Sequence, residues 1–201
     1  MKGIKMKKQH FAVFLFSASA ILSASPATEA ANKAVTEQKL VNLCKNGTFE
    51  NVSSNRREAG YWSFWKNKDS QCKVSFEKNV GENGSTGAVL SGGKGTIFTK
   101  IKAQPGEKFY IRANFKKAGE GTAGIAVRFF DAEGEWLSGV SLSKSVEFSK
   151  DAEWSKCELI VKIPEKAKAI VPMISARNLA EPASQIIIDN VEVYRLPVTA
   201  K

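Results

Sequence analysis

Apolar and polar residues alternate with a period of two along most of the chain beyond residue 38. Residues 108–115, KFYIRANF, are typical, because apolar side chains from Phe109 to Phe115 occupy every second position and mostly polar groups lie between them. Such alternation predicts β-strands that bury one face. The same pattern recurs in CKVSFEK, TIFTKI, AGIAVRFFD, WLSGVSL, KCELIVKI, AIVPMIS and QIIIDNVEVY.

Turn-forming residues separate these runs, in GENGSTG, SGGKG, QPGE, AGEGTAG and DAEGE. No stretch of a dozen residues shows a sustained period of 3.6 with capping residues, so we expect no helix between the strands. Short strands spaced about ten residues apart predict an all-β fold, an antiparallel β-sandwich of two sheets.

The first 31 residues predict a secretory signal peptide of bacterial type. Four lysines precede the apolar run FAVFLFSASAIL, and the small residues of SASPATEAA follow it, with cleavage expected near Ala30 or Ala31. We expect a short polar lead (32–38), one domain (39–195), a tail (196–201) and no membrane span in the mature chain. The protein would then be secreted, periplasmic or bound at the cell surface.

Export would also change the composition. The chain would lose His10, its only histidine, which excludes imidazole catalysis and histidine metal sites. It would lose four lysines and one glutamate, so the formal charge falls from +10 to about +7. The lysines are scattered, so we expect no nucleic-acid partner, although an acidic glycan is compatible with this charge. Cys44, Cys72 and Cys157 predict one disulfide and one buried thiol, with the pairing open.

Five short motifs follow one another in a defined order. They are NGTFE (46–50), GYWSFW (60–65), PGEKFY (105–110), WSKCELIVKIP (154–164) and IDNV (188–191). This order resembles that of the carbohydrate-binding modules of families four, nine and twenty-two, the CenC-like modules, over roughly residues 39–195. The resemblance implies a jelly-roll sandwich of galactose-binding-domain-like topology. It also implies a non-catalytic module that binds a polysaccharide or oligosaccharide, alone or beside a separate glycoside hydrolase.

The cluster GYWSFW carries four aromatic rings in five positions. In an extended strand Trp62 and Phe64 point to one side, whereas Tyr61 and Trp65 point to the other. The resemblance places the first tryptophan in the core, so we assign Trp62 and Phe64 to the core. Tyr61 and Trp65 are then candidates for a platform on which a sugar ring stacks, or else they pack at a sheet edge.

Polar residues near such a platform would bind the sugar hydroxyls. Tyr110, Arg112 and Asn114 share one face of their predicted strand, and Arg128 would lie beside them if the two strands pair. The alternative is an ordinary solvent-exposed face. Trp136 follows DAEGE and either lines the same cleft or closes a sheet edge.

Two carboxylates occupy the opening and closing motifs. The resemblance implies that Glu50 and Asp189 bring the first and last strands together around a structural calcium ion, with backbone carbonyls near Gly47 or GENG as further ligands. The alternative is a pair of surface carboxylates near lysines.

Two other functions are compatible with the sequence. A glycosidase needs two carboxylates about 5–10 Å apart; Asp131, Glu133 and Glu135 are available, but they fall in one predicted turn. A cell-surface adhesion protein would instead bind another protein through an exposed apolar patch. We expect a binding module and not an enzyme.

Overall fold

The computed structural model describes residues 25–55, 57–180 and 184–197. These residues form one α-helix, eleven strands and a short 3-10 helix, Glu82–Gly84. The helix is α1 (Pro26–Glu37), and the strands are β1 (Ser63–Lys66), β2 (Lys73–Glu77), β3 (Gly87–Ser91), β4 (Gly93–Phe98), β5 (Ile101–Lys102), β6 (Lys108–Ala118), β7 (Thr122–Phe130), β8 (Trp136–Ser145), β9 (Trp154–Lys162), β10 (Ala169–Leu179) and β11 (Gln185–Leu196).

The strands form two antiparallel sheets that pack face to face. Sheet 1 has the order β1-β4-β10-β7-β8, with β5 also paired to β10, and sheet 2 has the order β2-β3-β11-β6-β9. Consecutive strands often lie in different sheets, as β6 and β7 do. This is an antiparallel jelly-roll β-sandwich, so the predicted fold class is confirmed.

The inward positions of the two sheets form one hydrophobic core. Ile97 and Ile174 project into it from sheet 1, and Ile111 and Val193 project into it from sheet 2, all without solvent exposure. Because side chains alternate along a strand, the residues between these positions lie on the outer face of their sheet.

Trp62 and Phe64 both pack against this core, as predicted. The Trp62 ring lies 5.2 Å from the Phe49 ring between centroids, and its Nε1 donates a hydrogen bond to the carbonyl of Asn46 at 3.0 Å. A tryptophan buried with its single donor satisfied is a stable anchor. It attaches the opening NGTFE segment to β1.

The helix α1 was not expected from the sequence. Ser25 caps its N-terminus by accepting a hydrogen bond from the backbone N–H of Thr28, and Pro26 occupies the first turn, where it needs no donor. The predicted cleavage point near Ala30 or Ala31 falls inside this helix, and residues 1–24 lie outside the described chain. No described helix is long and apolar enough to cross a membrane.

Helix α1 covers part of the outer face of sheet 2. Ala31 is buried there in a small cluster with Tyr110 and Tyr194, whose rings stack at 6.4 Å between centroids. Asn32 anchors the helix: its Nδ2 donates to Glu158 at 2.9 Å, and its Oδ1 accepts from the Tyr110 hydroxyl at 2.8 Å. Packing and hydrogen bonds together hold α1 on the sheet.

The cysteines do not form the predicted disulfide. All three lie in the described part of the chain and are buried, and Cys44 and Cys157 are free thiols. The Sγ of Cys157, on β9, instead donates to the carbonyl of Lys144 at 3.6 Å. Burial, with a smaller contribution from the negative charge of Glu192, raises the pKa of Cys44 to about 12. This thiol is therefore a core residue of low reactivity.

We expect Asn32→Ala to lower the free energy of unfolding by about 1–3 kcal/mol, because Tyr110 and Glu158 would each lose a partner at a half-buried contact. Urea denaturation measures this change. Lys33→Ala is the matched control, since Lys33 forms only an exposed pair with Glu37 and its loss should cost less than about 1 kcal/mol. Equal effects of the two variants would contradict the anchoring role of Asn32.

The same contact predicts a pH dependence. Burial alone would raise the pKa of Glu158, but hydrogen bonds from Tyr110 and Asn32 and the nearby charges of Lys156 and Arg112 lower it below its usual value. A depressed folded-state pKa gives stability that is present above the unfolded pKa and is lost as the pH falls through the folded one.

Glu158→Gln should therefore cost about 1 kcal/mol near pH 7, and the difference from the wild type should shrink below about pH 4. Denaturation at several pH values measures it. Glu153→Gln removes a carboxylate that pairs with Lys150 in an exposed turn, so it should show a smaller difference. A cost of Glu158→Gln that persists undiminished at low pH would contradict this assignment.

Candidate functional site

Trp65 lies at one edge of the outer face of sheet 1, the exposed surface that is called the groove below. Trp65 on β1 lies opposite Thr96 on β4, and Thr96 lies opposite Ser175 on β10. Their neighbour Ile97 is in the core, so these three side chains share the outer face. The hydroxyls of Thr96 and Ser175 are hydrogen-bonded at 2.9 Å, and 45% of Trp65 remains exposed.

A second tryptophan lies at the opposite corner of this face. Trp136, the first residue of β8, pairs with Phe130 on β7, which alternates with the core residue Phe129. The guanidinium of Arg128 stacks over the Trp136 ring at 4.3 Å from its centroid, and the ring is 46% exposed. The stacking fixes the orientation of both side chains while the ring stays accessible.

Small side chains line a depression on the same face, between β10, β7 and β8, which neither tryptophan lines. This depression, of about 100 Å³, is lined by Gly124, Ala126, Ser143, Ser175 and Arg177 among others. A Cβ on Gly124 would lie 2.4 Å from the carbonyl oxygen of Lys144, so glycine is required for β8 to approach β7 this closely. The face thus combines apolar side chains of β4 and β10, such as Phe98 and Met173, and exposed hydroxyl groups on β8 with aromatic groups at two corners.

Tyr61 lies at the edge of the same face. It precedes β1, is 61% exposed, and lines a shallow depression with Ser63 and Phe98. The Nζ of Lys45 lies 5.0 Å from the centroid of its ring. Of the binding residues predicted from the sequence, the structure therefore brings Tyr61, Trp65, Arg128 and Trp136 to one face.

The remaining three predicted binding residues lie on the opposite side of the sandwich. The expectation depended on pairing between the strands of Arg112 and Arg128, but β6 pairs with β9 and β11 whereas β7 pairs with β8 and β10. Tyr110, Arg112 and Asn114 project from sheet 2, so the premise that they share a face with Arg128 is wrong. Consecutive strands crossed between sheets instead of forming a hairpin within one.

Internal partners also occupy these three side chains. Tyr110 is fully buried beneath α1, and Arg112 forms an ion pair with Glu192 and donates to Asn32 at 2.8 Å. Asn114 donates to the carboxylate of Glu82. In this conformation Tyr110 offers no surface to a ligand.

Glu50 and Asp189 hold one loop, residues 81–86, against the ends of the domain. The carboxylate of Glu50 accepts from the backbone N–H and the hydroxyl of Thr86, both at 2.8 Å. Asp189 has no solvent exposure and accepts from the N–H of Glu82 at 2.9 Å and from the hydroxyl of Ser85 at 2.5 Å. Burial raises the pKa of Asp189, although these hydrogen bonds act in the opposite direction.

This arrangement does not fit a calcium ion as it stands. Backbone N–H groups of Glu82, Thr86 and Asn190 point at the two carboxylates, and an N–H donor and a cation compete for the same lone pairs. No group of three or more metal-ligating side chains occurs among the described residues. The calcium site stays a prediction. Hydrogen bonds to Glu50 and Asp189 hold this end of the domain together, which is the role that was expected of calcium.

The acidic turn between β7 and β8 has a local structural role. Asp131 accepts a hydrogen bond from the backbone N–H of Glu135 at 2.7 Å, and the N–H of Asp131 donates to the carbonyl of Glu135 at 3.1 Å. Glu133 and Glu135 are exposed in the same turn. These contacts close the hairpin that places Trp136.

The floor residues of the groove were not predicted. Thr96 and Ser175 are small polar residues of TIFTKI and AIVPMIS, and Ser143 directly follows WLSGVSL. The alternation in each run indicated that these residues lie on an outer face. Which residues share that face depends on which strands pair. Only the assembled sheet brings them together.

No protein-family model and no curated protein matches this chain. Solved structures do share its fold. The enzymatically active domain of bacteriophage CBA120 tailspike protein 4 gives a TM-score of 0.56 at 18% identity, covering 78% of this chain and 22% of that one. This chain therefore spans about a fifth of the tailspike chain.

Carbohydrate-binding modules are also among these structures. TmCBM61, solved in complex with β-1,4-galactotriose, gives a TM-score of 0.53 at 18% identity and covers 77% of this chain and 99% of that one. The CBM22-1 xylan-binding domain of Xyn10C from Paenibacillus barcinonensis gives 0.53 at 12% identity, with coverages of 80% and 97%. At such identities the likeness shows a common fold, which agrees with the resemblance found in the sequence.

We expect Asp189→Ala to lower the free energy of unfolding by about 2–4 kcal/mol, because buried donors on Glu82, Ser85 and Asn190 would lose their acceptor. Thermal denaturation in calcium and in chelator measures the loss and tests for the ion at once. Since the geometry favours hydrogen bonds, the wild-type Tm should agree within about 1 °C in the two conditions.

Asp69→Ala, which removes an exposed carboxylate, is the control and should change stability by less than about 0.5 kcal/mol. A Tm that rises by several degrees with calcium in the wild type but not in Asp189→Ala would show that the loop rearranges and binds the ion.

Proposed function

We propose that this protein is a non-catalytic carbohydrate-binding module that binds a polysaccharide or oligosaccharide in the groove of sheet 1. One observation carries the proposal: Trp65 and Trp136 remain about half exposed at opposite corners of the outer face of sheet 1, which also carries the exposed hydroxyl groups of Ser141 and Ser143. Exposed aromatic rings gain free energy when a ligand covers them. The fold shared with xylan- and galactan-oligosaccharide-binding modules supports it.

The groove chemistry is suited to sugars. The face of an indole ring carries negative charge density and stacks on the C–H face of a pyranose, while exposed hydroxyl groups such as those of Ser141 and Ser143 on β8 exchange hydrogen bonds with sugar hydroxyls. Gly124 and Ala126 leave room for a chain to lie close to the sheet. The glycan chain would lie along the open surface of the sheet.

The proposal includes export of the protein and an accessory role. The lysine-rich, apolar leader supports secretion or location in the periplasm or at the cell surface. A module of this kind would hold a separate glycoside hydrolase on its polysaccharide, or would bind the polysaccharide alone.

Binding to a panel of soluble and insoluble glycans tests the proposal. We expect the wild type to bind at least one glycan, and Trp65→Ala and Trp136→Ala each to weaken that binding about tenfold or more, because each truncation removes a stacking surface. Affinity electrophoresis and isothermal titration measure the change.

Trp154→Ala is the matched control, since Trp154 lies on β9 of sheet 2 beneath the Nζ of Lys116, on the opposite side of the sandwich. It should leave glycan binding unchanged while circular dichroism shows all variants folded. Failure of the folded wild type to bind any glycan would refute the proposal and favour a protein ligand for the exposed rings.

A further inference from the structure

The two sheets differ sharply in the charges that their strands carry. The strands of sheet 1 contain six basic residues and no aspartate or glutamate, whereas the strands of sheet 2 contain Glu77, Glu158, Asp189 and Glu192 among their charges. The basic residues of sheet 1 are Lys66, Lys94, Lys102, Arg128, Lys144 and Arg177. All the charged side chains on the strands of the sheet that carries the proposed glycan groove are therefore positive.

The arginines of the two sheets also differ in their partners. Arg112 and Arg195, on sheet 2, are paired with Glu192 and with Glu107, the latter at 3.1 Å. Neither Arg128 nor Arg177 forms an ion pair with any described carboxylate. An arginine without a carboxylate partner keeps its fork of N–H donors available for a planar anion.

Both arginines face the groove. Arg177 is exposed and lines the central depression, and Arg128 is held by its stacking on Trp136 at 4.3 Å. Arg177 lies opposite Thr122, and Arg128 is six residues further along β7, so their backbones are roughly 20 Å apart along the strands. A ligand that contacts both must be an extended polymer.

We infer that the groove is selective for an anionic polysaccharide, one that carries carboxylate or sulfate groups along its chain. This inference rests on the proposed function and specifies its ligand class. The tryptophans stack on the sugar rings, and Arg128 and Arg177 bind the acidic substituents. No carboxylate occurs on the described strands of sheet 1, so repulsion of an acidic glycan is confined to loops such as the turn of Asp131, Glu133 and Glu135 before Trp136.

Matched pairs of polymers test the inference with the full chain. Polygalacturonate and glucuronoxylan are each compared with the same polymer after carboxyl reduction, and dextran sulfate is compared with dextran. We expect at least one acidic polymer to bind about tenfold or more tightly than its neutral counterpart. That preference should fall several-fold between about 50 mM and about 500 mM NaCl. The carboxylate and sulfate pairs together identify the acidic group.

Arg128→Gln and Arg177→Gln should each reduce the preference for the acidic polymer about tenfold, and binding to the neutral polymer should change less. Lys162→Gln removes one exposed positive charge from β9 of sheet 2 and is the control, with an unchanged preference expected. Trp65→Ala should weaken binding to the acidic polymer as well. Polyglutamate, an anionic polymer without sugar rings, should bind at least tenfold more weakly.

Three outcomes would overturn the inference. Equal binding of acidic and neutral partners, both weakened in Trp65→Ala, would leave the proposed function intact and remove the charge selectivity. Equal binding of polyglutamate, insensitive to Trp65→Ala, would show simple attraction to a basic surface. No binding to any polymer by the folded protein would refute the glycan-binding function itself.

Discussion

The crossing of the chain between sheets at residues 119–121 determines which side chains share a face. β6 ends at Ala118 in sheet 2 and β7 begins at Thr122 in sheet 1, so the three residues between them span from one layer to the other. Gly121 has a φ of 142°, a conformation that side chains of L-residues rarely adopt, and a Cβ there would lie 2.5 Å from Leu179. The crossing separates the groove residues from Arg112 and its neighbours.

The outer faces of the two sheets differ in composition and in what covers them. On sheet 2 the rings of Tyr110 and Tyr194 form an apolar cluster with Ile160 and Leu196, which is stable only when it is covered. Helix α1 covers it, and Asn32 satisfies the polar groups that the helix buries. On sheet 1 the outer face mixes apolar side chains such as Val171 and Met173 with Thr96 and Ser175, whose buried hydroxyl groups satisfy each other.

Period-two alternation was sufficient to predict most of the strands and the two-sheet fold, because burial of one face leaves an alternating pattern in each strand. It missed β3, whose residues from Gly87 to Leu90 are all buried, and part of β4 was expected to be a turn. The motif order added the topology class. The prediction that Arg128 lies beside Arg112 was wrong because strand pairing depends on contacts between distant segments of the chain. Helix α1 was missed since residues 26–31 were assigned to the leader, although Ser25 and Pro26 form a recognisable helix start.

The difference in charge between the two sheets follows from this difference between their outer faces. Carboxylates on sheet 2 serve the fold: Asp189 holds the 81–86 loop, Glu158 holds α1, and Glu192 neutralises Arg112. Among the described residues, no cation on the strands of sheet 1 forms an ion pair with a carboxylate. Cations that the fold does not use, fixed beside exposed aromatic rings, are the groups most available to a ligand.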